Sequence, residues 1–141
     1  RREAGNVAFT LVTHFNDYLQ TQEGRKHPVP HCIKGTDAHK LYGKTGKQRL
    51  MCDMVCDKNT FPSMELAEYL KQKNYDSVEI VGLVSNICVI SNAIMVKAAL
   101  PEAEITVDAS CTDSFDKELQ EKCFDVLEGM QITVANRKRK E

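Results

Sequence analysis

Cys88 is the residue of this chain best placed for covalent chemistry. It closes the stretch Gly82-Leu83-Val84-Ser85-Asn86-Ile87-Cys88, ahead of Val89. The run before it, Ser77 to Leu83, is β-branched and apolar and reads as a buried strand. The run from Cys88 to Leu100 is long enough for a helix and stops before Pro101. A cysteine at such a junction sits in a first helical turn whose N–H groups lack internal partners, and the positive end of the helix dipole favours thiolate over thiol. Ligands also gather at the carboxyl ends of parallel strands in α/β sheets. The competing reading is a buried, inert, apolar cysteine.

The elements that must position this sulfur follow from pattern. Val7 to Val12 is a first strand, entered from a charged segment that looks like the tail of a helix. Residues 15 to 50 hold most of the polar, Gly and Pro positions and read as a long functional loop with at most one short helix. A short strand is expected around Arg49 to Cys56. Ser63 then caps a helix from Met64 to Lys73, with Met64, Leu66, Ala67 and Leu70 along one face. After the Cys88 helix, Ile105 to Ala109 is a strand. Asp116 to about Glu128 is a helix burying Leu119, Cys123, Val126 and Leu127 and ending at Gly129, and Gln131 to Ala135 is a last strand. Alternating strands and helices predict βαβ units: an α/β, doubly wound, Rossmann-like three-layer fold on a mostly parallel sheet. A single domain over residues 1–141 is expected.

Composition excludes several classes. A net charge of −1 offers no field for nucleic acid or anionic membrane. No apolar run approaches the ~20 residues of a membrane span, and no signal-peptide core follows Arg1-Arg2-Glu3. The closing Arg137-Lys138-Arg139-Lys140 reads as a solvated end. The six cysteines do not form a disulfide framework, and the Cys52–Cys56 spacing is not that of a zinc knuckle. Reduced thiols in the cytoplasm are the expectation.

With these elements placed, four islands come together: Thr13-His14, Pro28-Val29-Pro30-His31-Cys32-Ile33-Lys34-Gly35-Thr36, Lys58-Asn59-Thr60-Phe61 and the Gly82–Val89 turn. In this order they resemble the isochorismatase-like cysteine hydrolases, the superfamily of nicotinamidase and N-carbamoylsarcosine amidase. The resemblance runs from about Asn6 to the last strand. It implies an Asp–Lys–Cys triad, with Cys88 on the nucleophile and Lys58 on the catalytic lysine. It also implies a non-proline cis peptide at Leu83–Val84, which would aim the N–H groups of Val84 and Cys88 at one point as an oxyanion hole. The chemistry is coherent in its own terms: a thiolate attacks an amide carbonyl, preorganised donors hold the oxyanion, and an ammonium such as Lys58 favours the thiolate. For Lys58 the alternative is a solvated loop lysine.

Two departures stand out. The family's acid belongs to an Asp-x-Gln-x-Asp-Phe motif on a strand before Val7, and this chain has no such motif. Asp17, Asp37, Asp53 and Asp57 do not occupy the matching position. The expectation is therefore a sheet lacking the family's first strand and low activity for this polypeptide alone. The second departure concerns metal. His14 and His31 match two family ligands, but Val12 stands where the ligand Asp should be, so no cofactor is expected and zinc or a similar divalent metal is disfavoured. His14 and His31 then become pocket residues, while His27 and His39 read as surface residues.

The leading expectation is a cysteine amidohydrolase acting on a small amide, nicotinamide-like or carbamoyl-like, and assembling as a dimer or tetramer. The alternative is a catalytically silent member or fragment with a structural role. A redox thiol is weakest, because no resolving cysteine neighbours Cys88 in sequence.

Overall fold

The computed structural model describes residues 5–138. The helix tail expected at Arg1-Arg2-Glu3 and the basic end from Arg139 lie outside the described residues. The fold is α/β with parallel strands in two sheets, and contacts divide the chain between Thr60 and Phe61 into two compact units. None of its helices is long and apolar enough to cross a membrane, among the described residues.

The first unit is built on β1 (Ala8–Val12) and β2 (Met54–Lys58), paired in parallel from Ala8↔Met54 to Val12↔Lys58. The second strand thus begins and ends later than the spacing around Arg49–Cys56 suggests. The segment between the strands is more ordered than a loop. It holds two helices, α1 (Gln22–Lys26) and α2 (Gly43–Gln48), and two 3-10 turns, Tyr18–Gln20 and Asp37–His39. Thr21 starts α1 by accepting the Gly24 N–H at 3.0 Å, an N-cap that the Gly- and Pro-rich composition obscures.

The second unit is a parallel three-stranded sheet in the order β3-β4-β5, with β3 at Ser77–Leu83, β4 at Glu104–Asp113 and β5 at Thr133–Ala135. Helix α3 (Met64–Lys73) matches its expected span, with Ser63 Oγ accepting the Leu66 N–H at 3.1 Å. Helices α4 (Ile90–Ala99) and α5 (Lys117–Gly129) follow β3 and β4. One core joins Leu70 of α3, Val89, Ala93 and Val96, Ile105 and Val107 of β4, Cys123, Phe124 and Leu127 of α5, and Ile132. Each fully buried side chain of this kind contributes about 1.5–3 kcal/mol relative to exposure. Leu119 and Val126 are not in that core but exposed. Helix α5 turns Gln120 and Phe124 inward instead, because its buried stripe runs through Gln120, Cys123, Phe124 and Leu127. Met64 is also exposed.

Strand β4 is longer than the apolar run from Ile105 to Ala109. The pairing passes from Ile80↔Val107 to Gly82↔Thr112, so β4 bulges outward over residues 108–111 and then rejoins β3. Asp108 staples the bulge: its carboxylate accepts the Ser110 N–H at 2.8 Å, the Ser110 hydroxyl at 2.7 Å and the Asn136 amide at 3.0 Å. Those bonds hold the Asp108 carboxyl down to about 2.

Candidate active site

In the second unit, β3 delivers the chain into the Cys88 turn. Gly82 has a φ of 123°, which a side chain would strain, and the Leu83–Val84 peptide is cis, as the resemblance implies. Residues Ser85–Val89 form a wide π-type turn before α4 begins, so Cys88 lies in that turn rather than in the first turn of a regular α-helix. The N–H groups of Ile87 and Val89 both donate to the Val84 carbonyl at 3.1 Å. The Cys88 sulfur is not in a disulfide and belongs to a half-buried residue, neither sealed in the core nor fully open.

A buried polar network underlies the turn. Ser85 is fully buried; its hydroxyl accepts from Gln120 of α5 at 2.8 Å and shares a hydrogen bond with Thr112 of β4 at 2.8 Å. The Cys123 thiol donates to the Ser85 carbonyl at 3.3 Å, and burial pushes that thiol up to about 11. Cys123 is thus a structural thiol. Asn92 reaches the turn from the other side, through the Cys88 carbonyl at 2.8 Å. Sequence pattern singles out none of Ser85, Asn92, Thr112 and Gln120, because polar residues among apolar ones carry no period of their own.

The first unit holds the remaining candidates. Lys58 is not a solvated loop lysine: it ends β2, is 5% exposed, and its amine donates to the Thr60 carbonyl at 3.2 Å. Thr13 N–H donates to the Lys58 carbonyl at 2.8 Å, which fixes the strand end beside His14. His14 is buried and packs its ring on Tyr18 at 4.6 Å and on His31 at 4.8 Å between centroids. His31 is the more open of the two histidines.

Glu23 on α1 completes this group, and sequence reasoning missed it. Its Oε1 lies 3.4 Å from His14 Nε2 and 3.6 Å from His31 Nε2. One ligand atom from each of His14, Glu23 and His31 falls within 4.8 Å of the others. His31 Nδ1 donates to the Val29 carbonyl at 2.8 Å, which turns Nε2 toward Glu23. His14 Nε2 is buried and has no hydrogen-bond partner. Burial pushes the His14 imidazole below its ordinary range against the opposing pull of Glu23, and the charges of His31 and Lys58 push it further down. Two imidazole nitrogens and a carboxylate facing one another form a donor set that fits a divalent cation of the zinc class. Val12 leaves the strand without the carboxylate that the resemblance implies, whereas Glu23 on α1 brings one to the same two histidines.

Three other acids of this unit are engaged elsewhere. Asp37 pairs with Lys40 at 2.7 Å, Asp57 pairs with Lys34 at 2.8 Å, and Asp53 accepts the Leu50 N–H at 2.6 Å. His27 is exposed as expected, but His39 is not a surface residue. Its side chain is 15% exposed, bonds Thr13 Oγ1 at 2.8 Å and lines a cavity of about 450 Å³ with Leu11, Val55 and Asp57.

Comparison with known proteins places this geometry. The chain matches the family model described as the Isochorismatase domain over residues 1–138. No curated protein matches it in sequence. Among solved structures it is similar to a nicotinamidase of Bacillus subtilis, with a TM-score of 0.80 and 19% identity, over 96% of this chain and 77% of that one. A pyrazinamidase/nicotinamidase of Streptococcus mutans gives 0.80 at 23% identity, over 94% of this chain and 77% of that one. A pyrazinamidase of Pyrococcus horikoshii in complex with zinc gives 0.77 at 18% identity, over 96% of this chain and 78% of that one. At these identities the likeness speaks for the fold. The family match over nearly the whole sequence carries the assignment: this chain belongs to the Isochorismatase family of hydrolase-fold proteins.

Proposed function

We propose that this chain is a cysteine amidohydrolase that cleaves the C–N bond of a small amide, nicotinamide-like or carbamoyl-like. The observation that carries the reading is the Cys88 turn. A half-buried cysteine outside any disulfide stands at the carboxyl end of a parallel strand, on a backbone tied down from both sides. Sulfur adds to the amide carbonyl carbon, and the N–H groups of Val84 and Cys88 receive the oxyanion; one such donor is worth about 3–4 kcal/mol in a protease. The C–N bond then breaks, the nitrogen leaves with a proton as ammonia or amine, and a thioester remains on Cys88. Water attacks the thioester, the acid departs and the thiol is restored.

Lys58 is the amine assigned to this sulfur. Lysine is seldom buried unless its amine is used, which supports a role beyond solvation. The likeness to nicotinamidases supports a small planar amide as substrate. His14, Glu23 and His31 are the residues that would hold a divalent cation; bound there, it would supply Lewis-acid polarisation and an anchor for a substrate lone pair. Whatever occupies the group, Tyr18 packs against both imidazoles and its hydroxyl donates to the His27 carbonyl at 2.8 Å, so the rings keep one orientation.

Ammonia release from a panel of small amides, including nicotinamide and N-carbamoyl amino acids, tests the proposal. Cys88→Ala is expected to lower turnover by about 10³-fold or more, with Lys58→Met close behind. Equal turnover in Cys88→Ala, or no ammonia from any amide, overturns it.

A further inference from the structure

Asn92 is a polar residue in an apolar neighbourhood, beside Val89, Ala93 and Val96 of the core and only 5% exposed. Asparagine is a mediocre helix former, and an unbonded amide in such a place is costly. This one is well bonded. Its Nδ2 donates to the Cys88 carbonyl at 2.8 Å and to the Phe61 carbonyl at 3.1 Å, and its Oδ1 accepts the Ser63 N–H at 3.0 Å. All three partners are backbone atoms, and they belong to two separate segments: the Cys88 turn and the stretch that opens α3. Ser91 adds a second bond to the same turn, its hydroxyl reaching the Ile87 carbonyl at 2.6 Å.

We infer that Asn92 is a positioning residue for Cys88. By joining the Cys88 carbonyl to Phe61 and Ser63, its amide keeps the nucleophile's backbone in a single place while π-type winding gives way to α4. The inference rests on the proposed role of Cys88 as nucleophile. Neither serine nor aspartate can replace it: serine is too short to reach both segments, and aspartate sets an oxygen against two carbonyl oxygens.

The experiment uses the full chain and reads Cys88 directly. Alkylation by iodoacetamide is followed peptide by peptide by mass spectrometry across neutral and mildly alkaline pH, with exposed Cys52 and Cys111 as internal standards. In Asn92→Ser and Asn92→Asp, Cys88 is expected to react about tenfold more slowly or worse, while Cys52 and Cys111 keep their rates. Val134→Ala, which trims partly buried packing on β5, controls for lost stability and leaves the Cys88 rate unchanged. On any amide the wild type turns over, both Asn92 variants lower kcat by a similar factor with KM unchanged. Cys88 alkylation within twofold of wild type in both variants, or an equal loss in Val134→Ala, overturns the inference. If the wild type hydrolyses no amide yet the Asn92 variants slow Cys88 alone, the hydrolase reading fails and the positioning role stands.

Discussion

Single residues decide whether the first unit can hold a cation. His14 and His31 are visible from their motifs, but Glu23 becomes a third donor only when α1 folds toward them, and no spacing rule brings it there. Its neighbour explains how tightly that helix is placed. A Cβ on Gly24 would lie 2.0 Å from the Tyr18 carbonyl oxygen, so α1 passes against the preceding turn with no room for a side chain. Two predictions follow at this scale. Glu23→Gln keeps shape but removes the charge, and zinc affinity, measured by competition with a chromophoric chelator, should fall about 10–100-fold. Gly24→Ala leaves all three donors in the sequence yet should lose zinc affinity to a similar degree, because α1 must move. Unchanged affinity in both would leave the three side chains as a packing cluster.

Elements were legible where local chemistry punctuates them. Ser63 and Asp116 mark the starts of α3 and α5, and each accepts the expected backbone N–H, from Leu66 and Leu119. Strand β3 and the cis peptide that follows it also stand where sequence and resemblance put them. The β4 bulge was not legible, because Asp108 to Thr112 contains no Gly or Pro to announce it. Its staple yields a pH prediction. The Asp108 carboxyl is held down to about 2, against an unfolded value of 3.8, so the folded chain binds fewer protons between those values. The stabilisation is therefore fully present above about pH 4 and is lost as pH falls toward 2. Thermal melts of Asp108→Asn should run below wild type at neutral pH and converge with it in acid. A constant offset down to the lowest pH would show that the carboxylate charge contributes nothing to the bulge.

At the scale of the molecule, the parallel α/β class and the sheet lacking a strand stand as read, with the strands falling into β1-β2 and β3-β4-β5. Among the described residues no strand pairs with the second edge of β1 or of β3, and pairing partners are set by tertiary placement that pattern cannot report. Arg137 was misread, while Lys138 is exposed as expected and residues 139–141 lie outside the described residues. Four basic residues in a row look solvated, yet the Arg137 side chain is 10% exposed and closes onto α5. Its guanidinium bonds Glu121, Asp125 and Glu128 at 2.8–3.0 Å and covers the Phe124 ring at 5.5 Å. The carboxylates lie four and then three residues apart along one face of α5, so one fork-shaped cation can serve all of them where a lysine could not. Arg137 thus pins the chain after β5 to the helix that also supports the Cys88 turn through Gln120. Replacement by alanine should cost about 1–3 kcal/mol, at the low end if solvent screening of the half-exposed carboxylates dominates. Urea unfolding separates the contributions: a loss that shrinks in 1 M salt is mostly charge, and a loss that persists is the packing of the guanidinium on Phe124. Arg137→Lys should recover less than half of the deficit, because it keeps the charge but loses the fork and the stacked plane; full recovery would mean that any cation suffices there.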